Sequence, residues 1–348
     1  MTRVLVVATS RKTRGGITSV VKAHETGEQW KKYHCRWIET HRDGPTWRKV
    51  WYLIIGLSQY TCLLPFYDIV HMHVSFSGSL TRKCLVMWFA KWMGKKTIVH
   101  FHPPTPDVLT MSGHTEKYRR LFGMADKVLV LSESWKTLIM NMLDIEVGNI
   151  EILYNPCPQV DEHKIIPIEN RGNYILFAGT LIARKGYKCL LRAFARIARN
   201  YPEWKVVLAG VDEEHEAEGI VNNLGINEQV VLAGWCNKVK MQELYKNAGI
   251  YCLASSGEGF PMVVLEAWAY GVPVVCTPVG GLPDILHENI NALTFEFDND
   301  RQLSKQLKKL MDNVILRRKL SSEGLRLAKE VFNIEVINKQ LGYIYAKI

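Results

Sequence analysis

NYILFAGTLIARKGYKCLLRAF, residues 173–194, holds one complete step from strand to helix. Tyr174 to Ala178 are apolar without alternation, as a strand must be when both faces of its sheet are covered. Gly179 ends the run, two cations (Arg184 and Lys185) follow, and Gly186 opens a stretch with helical spacing. Such a strand, leading at once into a helix, is the repeating unit of a doubly wound parallel sheet.

The same unit recurs in both directions. Upstream, apolar runs begin at residues 3, 35, 68, 96, 127 and 149 (RVLVVAT, CRWIET, DIVHMHV, KTIVHFH, KVLVLS, NIEILYN). A polar, proline-bearing stretch at 156–172 interrupts the alternation. It restarts with the quoted strand and continues at 204, 229, 249, 272 and 292. Two successive sets predict an α/β protein of two doubly wound, Rossmann-like parallel-sheet domains, joined near residue 165. A chain of 348 residues suits two domains of ordinary size. Ligands in such sheets sit at the carboxyl ends of strands, so a cleft between the domains is the expected site.

The strand ends carry the candidate chemistry. After the first strand, Gly15 and Gly16 precede a helical pattern and give a turn rich in free N–H groups. The strand at 96 ends in His100, Phe101 and His102. Alternation puts both histidines on one face, with His102 at the carboxyl end. His71 and His73 belong to another strand and could point either way. The pattern supplies no third ligand, so no metal is expected. Arg184 and Lys185 at a strand-to-helix loop suit a diphosphate. In GEGFPMVVLE, residues 257–266, the glycines flanking Glu258 read as a loop, and Pro261 to Tyr270 as a helix closed by Gly271 and Pro273. Amides at that helix start can hold a phosphate, and Glu266 inside it can accept from two vicinal hydroxyls, such as those of a ribose. Gly280 and Gly281 give another tight turn into a helix. Asp298, Asn299 and Asp300 read as a helix cap and not as a cation site.

The formal net charge is +10 and uneven: Met1 to Lys96 hold 16 Lys or Arg against 5 Asp or Glu, a net of +11. Trp30, Trp37, Trp47, Trp51, Trp88 and Trp92 are interleaved with those cations, which favours an anionic membrane surface over a nucleic-acid groove, the alternative being a solvated basic face over a buried aromatic core. Residues 50–66 are uncharged but short and interrupted by polar residues and Pro65, so a buried or interfacial helix is expected, not a span. Eight scattered cysteines without C-x-x-C spacing read as thiols in a reducing compartment. MTRVLVVATS lacks the small-residue cleavage site of a signal peptide. A cytoplasmic protein, peripheral at the membrane face, is the expected setting.

The run SSGEGFPMVVLEAWAYGVPVVCTPVGGLPDIL resembles the signature of the retaining glycosyltransferases of family 4. The likeness extends to RGGITSVV, DIVHMHVSFSG, TIVHFH, the lysine-glycine at 185–186 and FNIEVINKQLGYIYAKI. It implies the GT-B fold, with domains 1–165 and 166–331 and a C-terminal helix, 332–348, that crosses back to the first domain. It implies transfer of a sugar from a UDP- or GDP-sugar to a glycan or lipid-linked acceptor, with retention and without a metal or other cofactor. By this resemblance Glu266 holds the ribose, Glu258 lies beside the donor sugar, and Gly259, Phe260, Pro261 and Met262 form the loop that holds sugar and phosphate. Lys185 and His102 meet the diphosphate and the transferred sugar, respectively, and Gly15 and Gly16 help build the donor and acceptor site. Thr180, Asp284 and Ala292 depart from the family pattern. Where Thr180 stands a typical member has a second phosphate-binding arginine, and Arg184 is the candidate substitute. The alternatives are a nucleotide-sugar epimerase of the same fold, and a basic module docking on membranes or nucleic acid; nucleic acid is not the expected partner.

Overall fold

Among the residues that the computed structural model describes (2–76, 78–111, 113–143 and 147–348), the apolar runs become twelve strands in two sheets of six. The first sheet holds β1 (Val4–Ala8), β2 (Arg36–Glu39), β3 (Ile69–Val74), β4 (Lys96–Phe101), β5 (Lys127–Val130) and β6 (Ile150–Ile152). Their spatial order is β2-β1-β3-β4-β5-β6, every pairing parallel. The second holds β7 (Gly172–Ala178), β8 (Lys205–Ala209), β9 (Val230–Gly234), β10 (Ala248–Leu253), β11 (Val274–Cys276) and β12 (Leu293–Thr294), in the order β12-β11-β10-β7-β8-β9, again parallel. The chain reverses its winding between β1 and β3 in one sheet and between β7 and β10 in the other. Those reversals open the crevices where doubly wound sheets bind ligands.

Burial explains the unalternating strands. Every residue of β1, β3 and β10 is buried, whereas β9, at a sheet edge, is largely exposed. In the first unit, Val4, Val6, Ile69, Ile98 and Leu129 line one sheet face against Ile337, Leu341 and Ile344 of the helix Ile334–Lys347. In the second, Ile175, Phe177, Val206 and Leu208 meet Leu190, Leu191 and Phe194 of the helix Tyr187–Ala195, with Leu303, Leu307 and Leu310 of the helix Asp300–Asp312. Each fully buried side chain of this kind contributes about 1.5–3 kcal/mol.

The two units are Met1–Pro156 with Glu258–Phe260 and Asn333–Ile348, and Cys157–Gly257 with Pro261–Phe332. Two boundaries differ from the sequence reading. The first division falls at Pro156 and not near residue 165, because Cys157 donates from its amide to the Phe332 carbonyl (2.8 Å) and from its thiol to the Ala328 carbonyl (3.0 Å). The segment Glu258–Phe260 belongs with the first unit: Trp135 Nε1 donates to the Gly259 carbonyl (2.8 Å), and Asn155 Nδ2 donates to the Phe260 carbonyl (2.9 Å).

The uncharged run at 50–66 forms most of the helix Thr46–Leu63 and the short turn Leu64–Phe66. Among the described residues no helix is long and apolar enough to cross a membrane. This helix buries only Gly56 and Tyr60. Tyr60 reaches the next helix, Gly78–Trp92, by donating to the Val86 carbonyl (2.8 Å). The Asp-Asn-Asp run is a cap as read: Asn299 Oδ1 accepts from the Gln302 amide (2.9 Å), while Asp298 and Asp300 pair with Arg192 and Arg196.

Candidate active site

The second unit brings its predicted residues to the ends of β7 and β10, the two strands that flank its reversal. After β7, residues Ala183–Lys185 form a single 3-10 turn, and Gly186 follows with φ 71°. A Cβ on Gly186 would lie 1.9 Å from the Ala254 carbonyl oxygen just beyond β10, so only glycine lets the two loops close together. Arg184 joins them. Its Nη1 donates to the Gly257 carbonyl (2.6 Å), and its own carbonyl accepts from the Ser256 amide (2.9 Å). At least one of its N–H groups is therefore committed to holding the loop before Glu258. Lys185 beside it is half-buried. The turn is fixed from behind by Glu214, which accepts from the Ala183 amide (2.9 Å) and pairs with Lys188 (2.9 Å).

Pro261 caps a helix that runs Met262–Ala269, and Gly271 follows in the left-handed region at φ 64°. Val264, Leu265, Ala267 and Trp268 are buried, and Glu266 lies among them, half-buried. Burial raises its carboxyl above the usual carboxylate range, opposed by a hydrogen bond from Tyr245. Tyr245 stands on the helix Lys238–Asn247, and the sequence offered no sign of this contact. Gly280 takes φ 62° as expected of a turn glycine, but it leads into a 3-10 turn, Leu282–Asp284, and not into an α-helix. Pro283 sits in that turn, and Asn291 stops it by donating to the Ile285 carbonyl (2.7 Å) and accepting from the His287 amide (2.9 Å).

In the first unit, Gly15 (φ 143°) caps the helix Gly16–Glu25, and a Cβ on either Gly15 or Gly16 would meet nothing within 4 Å. The first-turn amides thus stand beside open space. Gly259 is the opposite case. A Cβ there would lie 2.3 Å from the Pro103 carbonyl, immediately after His102. The segment of Glu258 and Phe260 is therefore seated on the loop that follows β4. Phe260 is buried, its ring 5.4 Å from that of Tyr154.

His102 is 8% exposed, and its amide donates to the Val74 carbonyl (2.7 Å). Its Nε2 lies 3.0 Å from His73 Nδ1. Burial, and then the nearby His24, push its imidazole down to about 3, so the ring is neutral at physiological pH. The sequence left open which way His71 and His73 point. Both project to the same face as His100 and His102, because they are two residues apart on β3 and His73 lies in register with His100 on β4. The ring centroids of His71 and His73 are 4.6 Å apart, those of His73 and His100 4.9 Å, and those of His100 and His102 4.1 Å. His24, on the helix above, completes a cluster of five buried imidazoles.

The tryptophans divide. Trp37 is buried and Trp30 packs on the core, while Trp47 (66% exposed), Trp51 (57%), Trp88 (57%) and Trp92 (73%) face outward with Val50, Ile54 and Phe66. They stand on the neighbouring helices Thr46–Leu63 and Gly78–Trp92, and the rings of Trp88 and Trp92 stack.

Residues 159–326 match the family of Glycosyl transferases group 1. An uncharacterized glycosyltransferase of Haemophilus influenzae is 32% identical over 61% of this chain and 59% of its own length. A Campylobacter jejuni enzyme is 25% identical over 76% of this chain and 74% of its own. Its name is N-acetylgalactosamine-N,N'-diacetylbacillosaminyl-diphospho-undecaprenol 4-alpha-N-acetylgalactosaminyltransferase. The matched region thus spans about three fifths of the first of these relatives. The Anabaena protein HepE, solved in complex with UDP, superimposes with a TM-score of 0.78 over 99% of this chain and 100% of its own, at 14% identity. The fold is GT-B.

Proposed function

We propose that this chain, whose residues 159–326 match the group 1 glycosyl transferases, moves a sugar from a nucleotide-sugar to a glycan or lipid-linked acceptor, with retention at the anomeric carbon and without a metal in the reaction. The observation that carries this reading is the meeting of the β7 and β10 loops. Arg184 and Gly186 clamp them together, which leaves Lys185 at the end of one and the Glu266 helix at the end of the other. A cation, helix-start amides and a half-buried carboxylate are the three devices that diphosphate and ribose need.

Each group has a defined task. The Glu266 carboxylate accepts from the ribose hydroxyls. Lys185 and the amides at Met262 stabilise charge that gathers on the leaving diphosphate as the bond from anomeric carbon to phosphate oxygen breaks. The acceptor hydroxyl attacks on the face the diphosphate leaves, its oxygen bonds to the anomeric carbon, and its proton passes to the departing phosphate oxygen. His102, neutral and oriented through His73, offers a hydrogen bond to the transferred sugar, and Glu258 lies beside it. A UDP-sugar is the favoured donor because HepE was solved with UDP; a GDP-sugar is the alternative.

The acceptor is read from the first unit. Four exposed tryptophans among Arg48, Lys49, Lys91 and Lys95, on a unit rich in positive charge, suit the interface of an anionic bilayer. The Campylobacter relative is named for a diphospho-undecaprenol acceptor. A lipid-linked saccharide at the cytoplasmic face of a membrane fits both, and eight cysteines without a disulfide fit that compartment.

The test is turnover of a panel of UDP- and GDP-sugars. The protein should release nucleoside diphosphate, slowly to water and faster with a lipid-linked acceptor. Lys185→Ala should lose both nucleotide affinity and rate, while His102→Ala should keep the affinity and lose the rate. An isomerised donor without released diphosphate would instead establish an epimerase, and release unaffected by either substitution would overturn the assigned roles.

A further inference from the structure

The five-histidine cluster is larger than sugar transfer requires of His102, and its ring nitrogens are unevenly satisfied. His24 can be assigned from its neighbours. Gln29 Nε2 donates to the His24 carbonyl (2.9 Å) and to Asn338 Oδ1 (3.0 Å), which makes that amide atom an oxygen. His24 Nδ1, 2.9 Å from the same oxygen, must then carry the ring proton, and its Nε2 holds a lone pair. That Nε2 is buried with no partner. His71 Nδ1 is 2.7 Å from the Tyr345 hydroxyl, and His73 Nδ1 is 3.0 Å from His102, and in both rings Nε2 is again buried and unpartnered. His100, fully buried, has no partner on either nitrogen. Unsatisfied buried nitrogens are costly, and here several converge from adjacent strands.

We propose that His71, His73 and His100 bind one divalent first-row transition ion, zinc foremost, at a structural site beneath the helices Gly16–Glu25 and Ile334–Lys347. One nitrogen from each of the three rings lies within 4.8 Å of the other two. A tetrahedral zinc with bonds of 2.0–2.1 Å holds its nitrogens about 3.3 Å apart, so small turns of the rings close the shell. Neutral imidazole is the form a metal takes, and all-nitrogen donors favour zinc, cobalt, nickel or copper over magnesium or calcium. The outer contacts have the arrangement of a metal-ligating histidine, in which the second ring nitrogen is held by a hydrogen bond: Tyr345 on His71 and His102 on His73. The remaining coordination position is open to water or to His24, whose ring centroid lies 6.3 Å from that of His100. Such an ion would fasten β3 and β4 to the C-terminal helix through Tyr345. It takes no part in the transfer reaction, so its failure would leave the glycosyltransferase reading untouched.

The experiment uses the full chain, stripped with chelator and then titrated with Co²⁺ and Zn²⁺. Expected are one ion retained per chain after gel filtration, tetrahedral Co²⁺ absorption in the visible, a Kd below about 1 μM, and a melting temperature that falls when the ion is stripped. His100→Leu should abolish retention, and Tyr345→Phe, which leaves all three ligands in place, should weaken it about tenfold. If His100→Leu does not fold, Tyr345→Phe decides alone. No retained ion in the wild type, retention unchanged in His100→Leu, or unchanged affinity in Tyr345→Phe would each overturn the site and leave trapped water as the partner of these nitrogens.

Discussion

Glu266→Gln isolates one bond of the proposed donor site. The amide has the volume of the carboxyl, so the helix Met262–Ala269 and its buried neighbours keep their packing, and its carbonyl oxygen can still accept from Tyr245. What changes is the second oxygen, which becomes an N–H donor facing a ribose hydroxyl. The variant therefore loses one charge-assisted hydrogen bond, worth about 1.5–3 kcal/mol, or roughly ten- to one-hundred-fold in Kd for the nucleoside diphosphate. Calorimetry should read that loss. The control is the 2′,3′-dideoxy nucleotide, which brings no hydroxyl and should bind wild type and variant within a factor of about two. The pH profile adds a sign. Burial raises the Glu266 carboxyl, so acid removes the accepting carboxylate at a higher pH than the ordinary glutamate value of about 4.3. Wild-type affinity should fall as pH is lowered toward that value from above, while the Gln variant stays flat. An equal loss for ribose and dideoxyribose ligands, or no loss for either, would refute the ribose contact.

Gly186→Ala puts a side chain at φ 71° and 1.9 Å from a carbonyl; left-handed backbone alone costs about 1–3 kcal/mol, so chemical denaturation should show a weakened second unit and titration a lost diphosphate site, and wild-type values for both would contradict the loop clamp. Trp51→Ser combined with Trp92→Ser should cut flotation with anionic vesicles at least about tenfold without changing the melting temperature, and equal flotation would remove the bilayer reading of that face. Asp126 accepts from Lys91 Nζ (2.5 Å) and from the Thr97 amide and hydroxyl (both 2.9 Å). Burial opposes its ionisation, but those bonds prevail and hold its carboxyl below the usual range. A lowered native value means stability that is present above the unfolded value of about 3.9 and lost as pH falls through the native one. Asp126→Asn should therefore destabilise by about 1–3 kcal/mol at neutral pH, with the gap closing below pH 4; a gap that does not vary with pH would show the charge to be irrelevant.

The strands were legible because parallel sheets covered on both faces leave unalternating apolar runs such as ILFA and VLVVA, and the edge strand β9 keeps such a run although it is largely exposed. Each of the twelve runs became a strand, all but β3 shortened at the carboxyl end where the chain turns away, while β7 and β10 each begin one residue before the run. The boundaries were less visible. A division near residue 165 followed composition, since 156–172 is polar and bears prolines. The structure divides the chain at Pro156 because hydrogen bonds of Cys157, not composition, tie the following stretch to the second unit. The return of Glu258–Phe260 to the first unit has no local signal at all. It rests on Trp135 and Asn155, more than a hundred residues earlier.

Site residues follow the same rule. Glycines and charges at strand ends are visible because each answers a local demand: Gly186 a left-handed backbone, Lys185 a loop position at a carboxyl edge. Partners supplied by other elements are not, so Tyr245 on Glu266 and Gly257 on Arg184 had to be seen in three dimensions. The histidines show why. Alternation along β4 paired His100 with His102, and alternation along β3 pairs His71 with His73, but period two says nothing about which face either pair takes. That depends on register between strands, which places His73 beside His100, and on the helix Ile334–Lys347, whose Tyr345 and Asn338 reach the cluster from the far end of the chain. A shift of one residue in that register would send His71 and His73 to the opposite face. The metal proposal and the neutral state of His102 therefore rest on one feature of the first sheet, and a Co²⁺ spectrum that depends on Tyr345 would report that register directly.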